Sequence, residues 1–318
     1  MSSRAKRGDL IFNNRLLRFR LSGSSQWLNH ILDSKYISVY KRILNTLFQW
    51  NTDQACEHIL GLYDKKGFCI VDYLYFANVA GKKLFSRHQS NTPVEDFSEA
   101  LLSDYKNINI HGIYALYQQA ILDADVVLPD GIALQLFTYF AKKKRLKNLN
   151  GTDFCPYFLS YIKEYHPGRA MNIILYGTYP HLLKKTQDLL LKQGYTVVYA
   201  QDGYTNLDWN ALELSLKGRW EAINLLLVAR TTPEYPIQEI WALTNRENIH
   251  KYKLLVMNQW GTFDFWVGEQ KRAPKLIRTI KLEWLRRLVS DPKRNMKKVL
   301  STLALFRYIF SYLILKKE

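Results

Sequence analysis

In "DADVVLPDGIALQLF", residues 123–137, a carboxylate is left at a corner of the chain. The apolar run ends at Leu128, Pro129 and Gly131 have the composition of a turn, and a helical pattern starts near Ile132. Asp130 between them has two readings. It caps the free N–H groups of the following helix, or it is a general base at the ligand-facing edge of a sheet, taking a proton from an attacking hydroxyl. Asp123 and Asp125, just ahead of the run, form a D-x-D, the pattern that holds a divalent metal in many sugar-nucleotide transferases. They stand at the opposite end of the strand from Asp130, so a solvated turn is the better reading.

Two further stretches follow apolar strands. In "EYPIQEIWAL", residues 234–243, Pro236 suits the first turn of a helix that carries Gln238 and Glu239, where an acid ordinarily complements the helix dipole. In "NQWGTFDFWVGEQKRAP", residues 258–274, Gly261 supplies a tight turn, Phe263, Phe265 and Trp266 a core anchor, and Asp264 a cap or a ligand contact. The seven histidines show no metal-ligand pairing, and no serine or cysteine sits in a nucleophile elbow. There is no G-x-G-x-x-G or G-x-x-x-x-G-K-[ST], and the "YGTYP" loop is poor in glycine, which argues against dinucleotide and P-loop sites. No metal and no cofactor is expected.

The elements that position these residues follow from hydrophobic periodicity. From about residue 66, the runs "FCIVDYLYF", "ADVVLPDG", "MNIILYGT", "YTVVYA", "AINLLLVA" and "YKLLVMNQ" alternate with helical patterns such as "YPHLLKKTQDLLLKQG". That alternation predicts a Rossmann-like α/β fold, a largely parallel sheet with helices on both faces, over residues 66–270. Residues 1–65 read as a helical and irregular extension, and residues 271–318 as a basic helical appendage. In such sheets ligands bind at the carboxyl ends of the strands, where Asp130 lies.

Charge points to an anionic partner. Lys and Arg number 45 against 28 acids, a net +17. Residues 271–318 alone carry fourteen Lys or Arg against three acids. Nucleic acid, membrane phosphate and a phosphorylated ligand all fit that excess. No nucleic-acid-binding motif is present, and the charge lies beside the apolar segment 299–315, which is short for a span, carries Arg307 and reads as a helix lying on a bilayer. Three cysteines without C-x-x-C spacing suit a reducing compartment, and no signal peptide is visible.

Taken in order, "ADVVLPDGIAL", "NGTD", "PIQEIW", "GTFDFWVGEQKRAPKLIR" and "LEWLRRLVSDPKR" resemble the WecG/TagA/CpsF glycosyltransferases, also called glycosyltransferase family 26, over about residues 105–300. The resemblance implies an inverting, metal-independent transfer of a sugar from a UDP-sugar donor to a polyprenyl-diphosphate-linked sugar, at the cytoplasmic face of the bacterial inner membrane. The donated sugar would be of N-acetylmannosamine type, its uronic acid, or glucose. It assigns Asp130 as base and Arg287 and Arg294 as catalytic cations, with Asn107, Asn109, Gln238, Glu239, Asp264, Arg272 and Lys297 as substrate contacts. The chain departs from the family pattern in having Asn107 where that pattern has Thr, and in a longer, glycine-free "ARTTPEYPIQE". The basic tail would then stabilise the departing diphosphate and hold the enzyme at an anionic membrane surface. A nucleic-acid-binding protein and a non-catalytic protein on a transferase fold are the alternatives; homo-oligomerisation is left open.

Overall fold

Each of the six apolar runs forms a strand, and the strands join into one sheet. The structure is a computed structural model and describes residues 50–75, 110–230, 236–259 and 261–270. In chain order its elements are α1 (Thr52–Lys66), β1 (Cys69–Tyr75), α2 (Ile110–Asp123), β2 (Val126–Asp130), α3 (Ile132–Lys142), α4 (Gly151–Tyr165) and β3 (Met171–Gly177). They continue with α5 (Pro180–Lys192), β4 (Thr196–Gln201), α6 (Trp209–Leu216), β5 (Ile223–Ala229), α7 (Ile237–Thr244), α8 (Arg246–Lys251), β6 (Leu254–Asn258) and α9 (Thr262–Trp266). The order across the sheet is β2-β1-β6-β5-β3-β4, and every pair is parallel. The expected α/β architecture is therefore the observed one.

All strand carboxyl ends consequently lie along one edge. The central strands β5 and β6 are buried along their whole length, which is why they read as unbroken apolar runs instead of alternating ones. Their side chains feed two cores. On one face Leu225, Leu227, Leu255 and Met257 pack with α1, α4, α5 and Phe263 of α9. On the other, Leu226, Val228, Leu254 and Val256 pack with α6, Trp241 of α7 and Ile249 of α8. The first core includes Ala55, Cys56, Ile59, Leu60 and Tyr63, so α1 is one of the layers that cover the sheet. Its ends are closed by an Asn51–Gln54 capping box and by Gly67 at φ 75°.

One boundary differs from the sequence expectation. The strand does not stop at Leu128: β2 runs on through Pro129, opposite Leu74, to Asp130, opposite Tyr75. β2 is an edge strand, so the N–H that Pro129 lacks is not needed by a further neighbour. The Pro129 carbonyl still accepts a bond from Leu149 N–H at 2.9 Å.

Candidate active site

Asp130 ends β2 at the carboxyl edge and is partly exposed. The N-cap of α3 is Gly131, at φ 89° and ψ 156°, one residue beyond Asp130. The Gly131 N–H donates to Asn148 Oδ1 at 2.8 Å. Gly131, at a left-handed φ, thus holds the N-cap position that one of the two readings gave to Asp130.

On the same face of the sheet as Asp130, Tyr73 points into the first core, two positions deeper in the β1–β2 register. Tyr73 and Gln259 press against Gly151, the first residue of α4. A Cβ on that glycine would lie 3.3 Å from Tyr73 Cζ and 3.4 Å from Gln259 Oε1. The Tyr73 hydroxyl and both amide atoms of Gln259 are buried without a well-formed hydrogen bond among the described residues. Burial pushes the Tyr73 hydroxyl well above its usual pKa, Cys155, Asp130 and Asp72 add to the rise, and Gln259 opposes it. The Gln259 backbone is pinned, its N–H donating to Val228 at 2.7 Å and its carbonyl accepting from Thr262 N–H at 2.9 Å.

On the opposite face, Asp72 of β1 accepts a short hydrogen bond from the Asn258 carboxamide of β6. Both are fully buried, and Asp72 Oδ2 and Asn258 Oδ1 have no partner among the described residues. Burial pushes the Asp72 carboxyl up to about 7, with the Asn258 bond pulling the other way. Gln238 and Glu239 also lie on this face, in the first turn of α7, and both are buried. The helix begins one residue after Pro236, which is its N-cap. Burying a carboxylate goes beyond complementing a helix dipole, so these two residues belong to the polar edge of the sheet.

Asp264 lies in α9, half-buried, where its Oδ2 accepts from Gln270 Nε2 at 2.9 Å. The D-x-D is engaged structurally and is not the solvated turn expected of it, since the Asp125 side chain is 2% exposed and ion-paired. Asp125 accepts from Lys66 at 2.6 Å and from Ile70 N–H at 2.9 Å, while Arg246 donates to the Asp123 carbonyl at 2.7 Å. Asn107, Asn109, Arg272, Arg287, Arg294 and Lys297 lie outside the described residues, as does the segment 299–315. Among the described residues no group of three or more His, Cys, Asp or Glu is placed to hold a metal, and no helix is long and apolar enough to cross a membrane. Cys56, Cys69 and Cys155 are buried free thiols, and burial pushes the Cys56 thiol up to about 12, so they are inert.

Sequence reasoning missed Asp72, Tyr73, Asn258, Gln259 and Arg230. A signal was present for some of them: a lone acid inside the apolar "CIVDYLY", and an Asn-Gln pair closing the apolar "LLVMNQ". A polar residue at the carboxyl end of a buried strand has no packing reason to be there.

A parallel sheet wound on both faces, with acids and amides gathered along its carboxyl edge, defines a ligand-binding α/β domain. Residues 86–318 match the glycosyl transferase WecG/TagA/CpsF family, and the chain belongs to that family. Over 185 residues, 56% of this chain, it is 26% identical to an N-acetylglucosaminyldiphosphoundecaprenol N-acetyl-beta-D-mannosaminyltransferase of Bacillus spizizenii. The match spans 65% of that relative's length.

Proposed function

We propose that the protein transfers a sugar from a UDP-sugar to a polyprenyl-diphosphate-linked sugar, with inversion at the anomeric carbon. The relative's name makes N-acetylmannosamine the first donor sugar to test and lipid-linked N-acetylglucosamine the first acceptor. Asp130 carries this reading, because it stands at the carboxyl edge of the sheet, where β2 ends one residue before the N-cap of α3. In the reaction the Asp130 carboxylate takes the proton of the acceptor hydroxyl as the hydroxyl oxygen attacks the anomeric carbon. The bond from that carbon to UDP breaks on the opposite face, and UDP leaves with the electron pair. Arg287 and Arg294, with Arg272 and Lys297 nearby in sequence, neutralise the charge that develops on the diphosphate. Asn107, Asn109, Gln238, Glu239 and Asp264 contact the substrates.

The acceptor is anchored in lipid, so the reaction takes place at the cytoplasmic face of the bacterial inner membrane, with the basic tail on anionic headgroups. The test is a screen of UDP-sugars with a short-chain polyprenyl-diphosphate N-acetylglucosamine acceptor, following UDP release and disaccharide formation. Transfer of N-acetylmannosamine supports the reading, and no transfer from any UDP-sugar overturns it.

A further inference from the structure

Arg230 follows the last residue of β5 and is 5% exposed. A guanidinium withdrawn that far from water is costly unless an anion or acceptors compensate it. Among the described residues Arg230 makes no salt bridge, and its Nε is buried with no acceptor. The guanidinium lies over the Tyr176 ring, 5.1 Å from the centroid. That ring is held in place by its hydroxyl, which donates to the Thr205 carbonyl at 2.9 Å.

Its place in the fold is a switch point of the sheet. The helix that follows β3, α5, lies on one face and the helix that follows the adjacent β5, α7, on the other, the arrangement that places a ligand crevice at the carboxyl edge of such a sheet. The loops after β3 and β4 meet the end of β5 there. Thr178 N–H donates to the Ala229 carbonyl at 3.0 Å, and Gly203 N–H donates to the Thr178 carbonyl at 3.2 Å. Gly177, at φ 122°, allows this approach, since a Cβ on it would lie 2.4 Å from the Ala229 carbonyl carbon and 2.9 Å from Arg230 N. Two residues on, Tyr179 is the N-cap of α5 but supplies no side-chain cap, and the first turn holds no acid. Tyr179 is 56% exposed, and its ring lies 5.9 Å from that of Tyr204 on the β4 loop.

We propose that Arg230 binds a phosphate of the donor's uridine nucleotide, with Tyr179 and Tyr204 flanking the base. This rests on the transferase reading above and adds a residue to it. A buried guanidinium with no acidic partner among the described residues selects an anion, the adjoining helix start favours the same charge, and the exposed Tyr179 ring beside the half-buried Tyr204 ring offers a face to a planar base. The dimensions agree: β3 and β2 are four strand spacings apart, roughly 19 Å. An extended nucleotide sugar then reaches from the β3–β5 crevice to Asp130.

The experiment is calorimetric titration of the full chain with UMP, UDP and uridine, without acceptor. Arg230→Met should weaken UMP and UDP by roughly tenfold to a hundredfold and leave uridine within about twofold. The same variant, free of ligand, should melt higher than the parent, because methionine removes an uncompensated buried charge. Arg230→Lys keeps the charge without the fork and should fall between the two in UMP affinity. Tyr179→Ala should weaken uridine and UMP alike. UMP binding unchanged in the Met and Lys variants overturns the assignment, and so does an equal loss of uridine and UMP with a lower Tm. Because binding is read without transfer, the two readings fail separately. A parent protein that binds UMP through Arg230 and transfers no sugar refutes only the transferase, whereas a transferring parent whose Arg230→Met variant binds UMP normally refutes only the Arg230 site.

Discussion

Asn258 donates its carboxamide N–H to the Asp72 carboxylate across the β6–β1 pairing, and both side chains are closed off from water. Burial raises the Asp72 carboxyl from its ordinary 3.8 to about 7. Between those values the folded protein holds a proton that the unfolded chain has released, so stability falls as pH rises. The contribution is fully present below about pH 4 and lost by the time pH has passed about 7. Asp72→Asn, which cannot ionise, should therefore melt increasingly above the parent as pH goes from 5 to 8. Thermal melts of both proteins across that range check this, and parallel curves would mean that Asp72 does not titrate there.

Asp130→Asn should lower turnover by about 100-fold or more while leaving Tm nearly unchanged. Gly131 and not Asp130 occupies the N-cap position of α3, and asparagine keeps the size and one oxygen of the side chain. Initial rates of UDP release, with circular dichroism for the fold, separate loss of the base from loss of structure. A variant with normal turnover would remove Asp130 from the mechanism.

Transfer should proceed at full rate in EDTA, with no gain from added magnesium or manganese. The D-x-D carboxylate of Asp125 is engaged by Lys66 and the Ile70 N–H, at the amino end of β2 and away from Asp130. The stabilisation of the departing diphosphate is assigned to arginine and lysine instead. Activity abolished by chelation and restored by either ion would refute that assignment.

The basic tail should divide into two functions. Ending the chain before Val299 should release the protein from anionic liposomes yet preserve some transfer to a soluble acceptor, because Arg287, Arg294 and Lys297 remain. Replacing Arg287 and Arg294 by Ala should do the reverse, each lost contact raising the barrier by roughly 1.5 to 3 kcal/mol. Liposome flotation and turnover, measured on both variants, read the two roles. If the truncated chain still floats, or the double variant turns over normally, the division is wrong.

The strands, their parallel character and the corner at Asp130 were legible in local sequence, because burial on both faces makes a strand uniformly apolar and a turn needs Pro or Gly. The "NGTD" stretch was legible as a motif, but not the reason for its glycine, which is that Tyr73 and Gln259 lie against Gly151. Strand order was beyond the sequence. β6 is inserted between β1 and β5, and that pairing alone brings Asn258 to Asp72, 186 residues away in the chain. Arg230 is the same case: by sequence it closes an apolar strand in the manner of any solvated cation. Only the packing of the β3 and β4 loops against β5, and of the Tyr176 ring under the guanidinium, buries it with no carboxylate partner among the described residues. Periodicity reports which face of an element is covered; which residues meet at the sheet's edge is set by long-range pairing, and no local pattern encodes it.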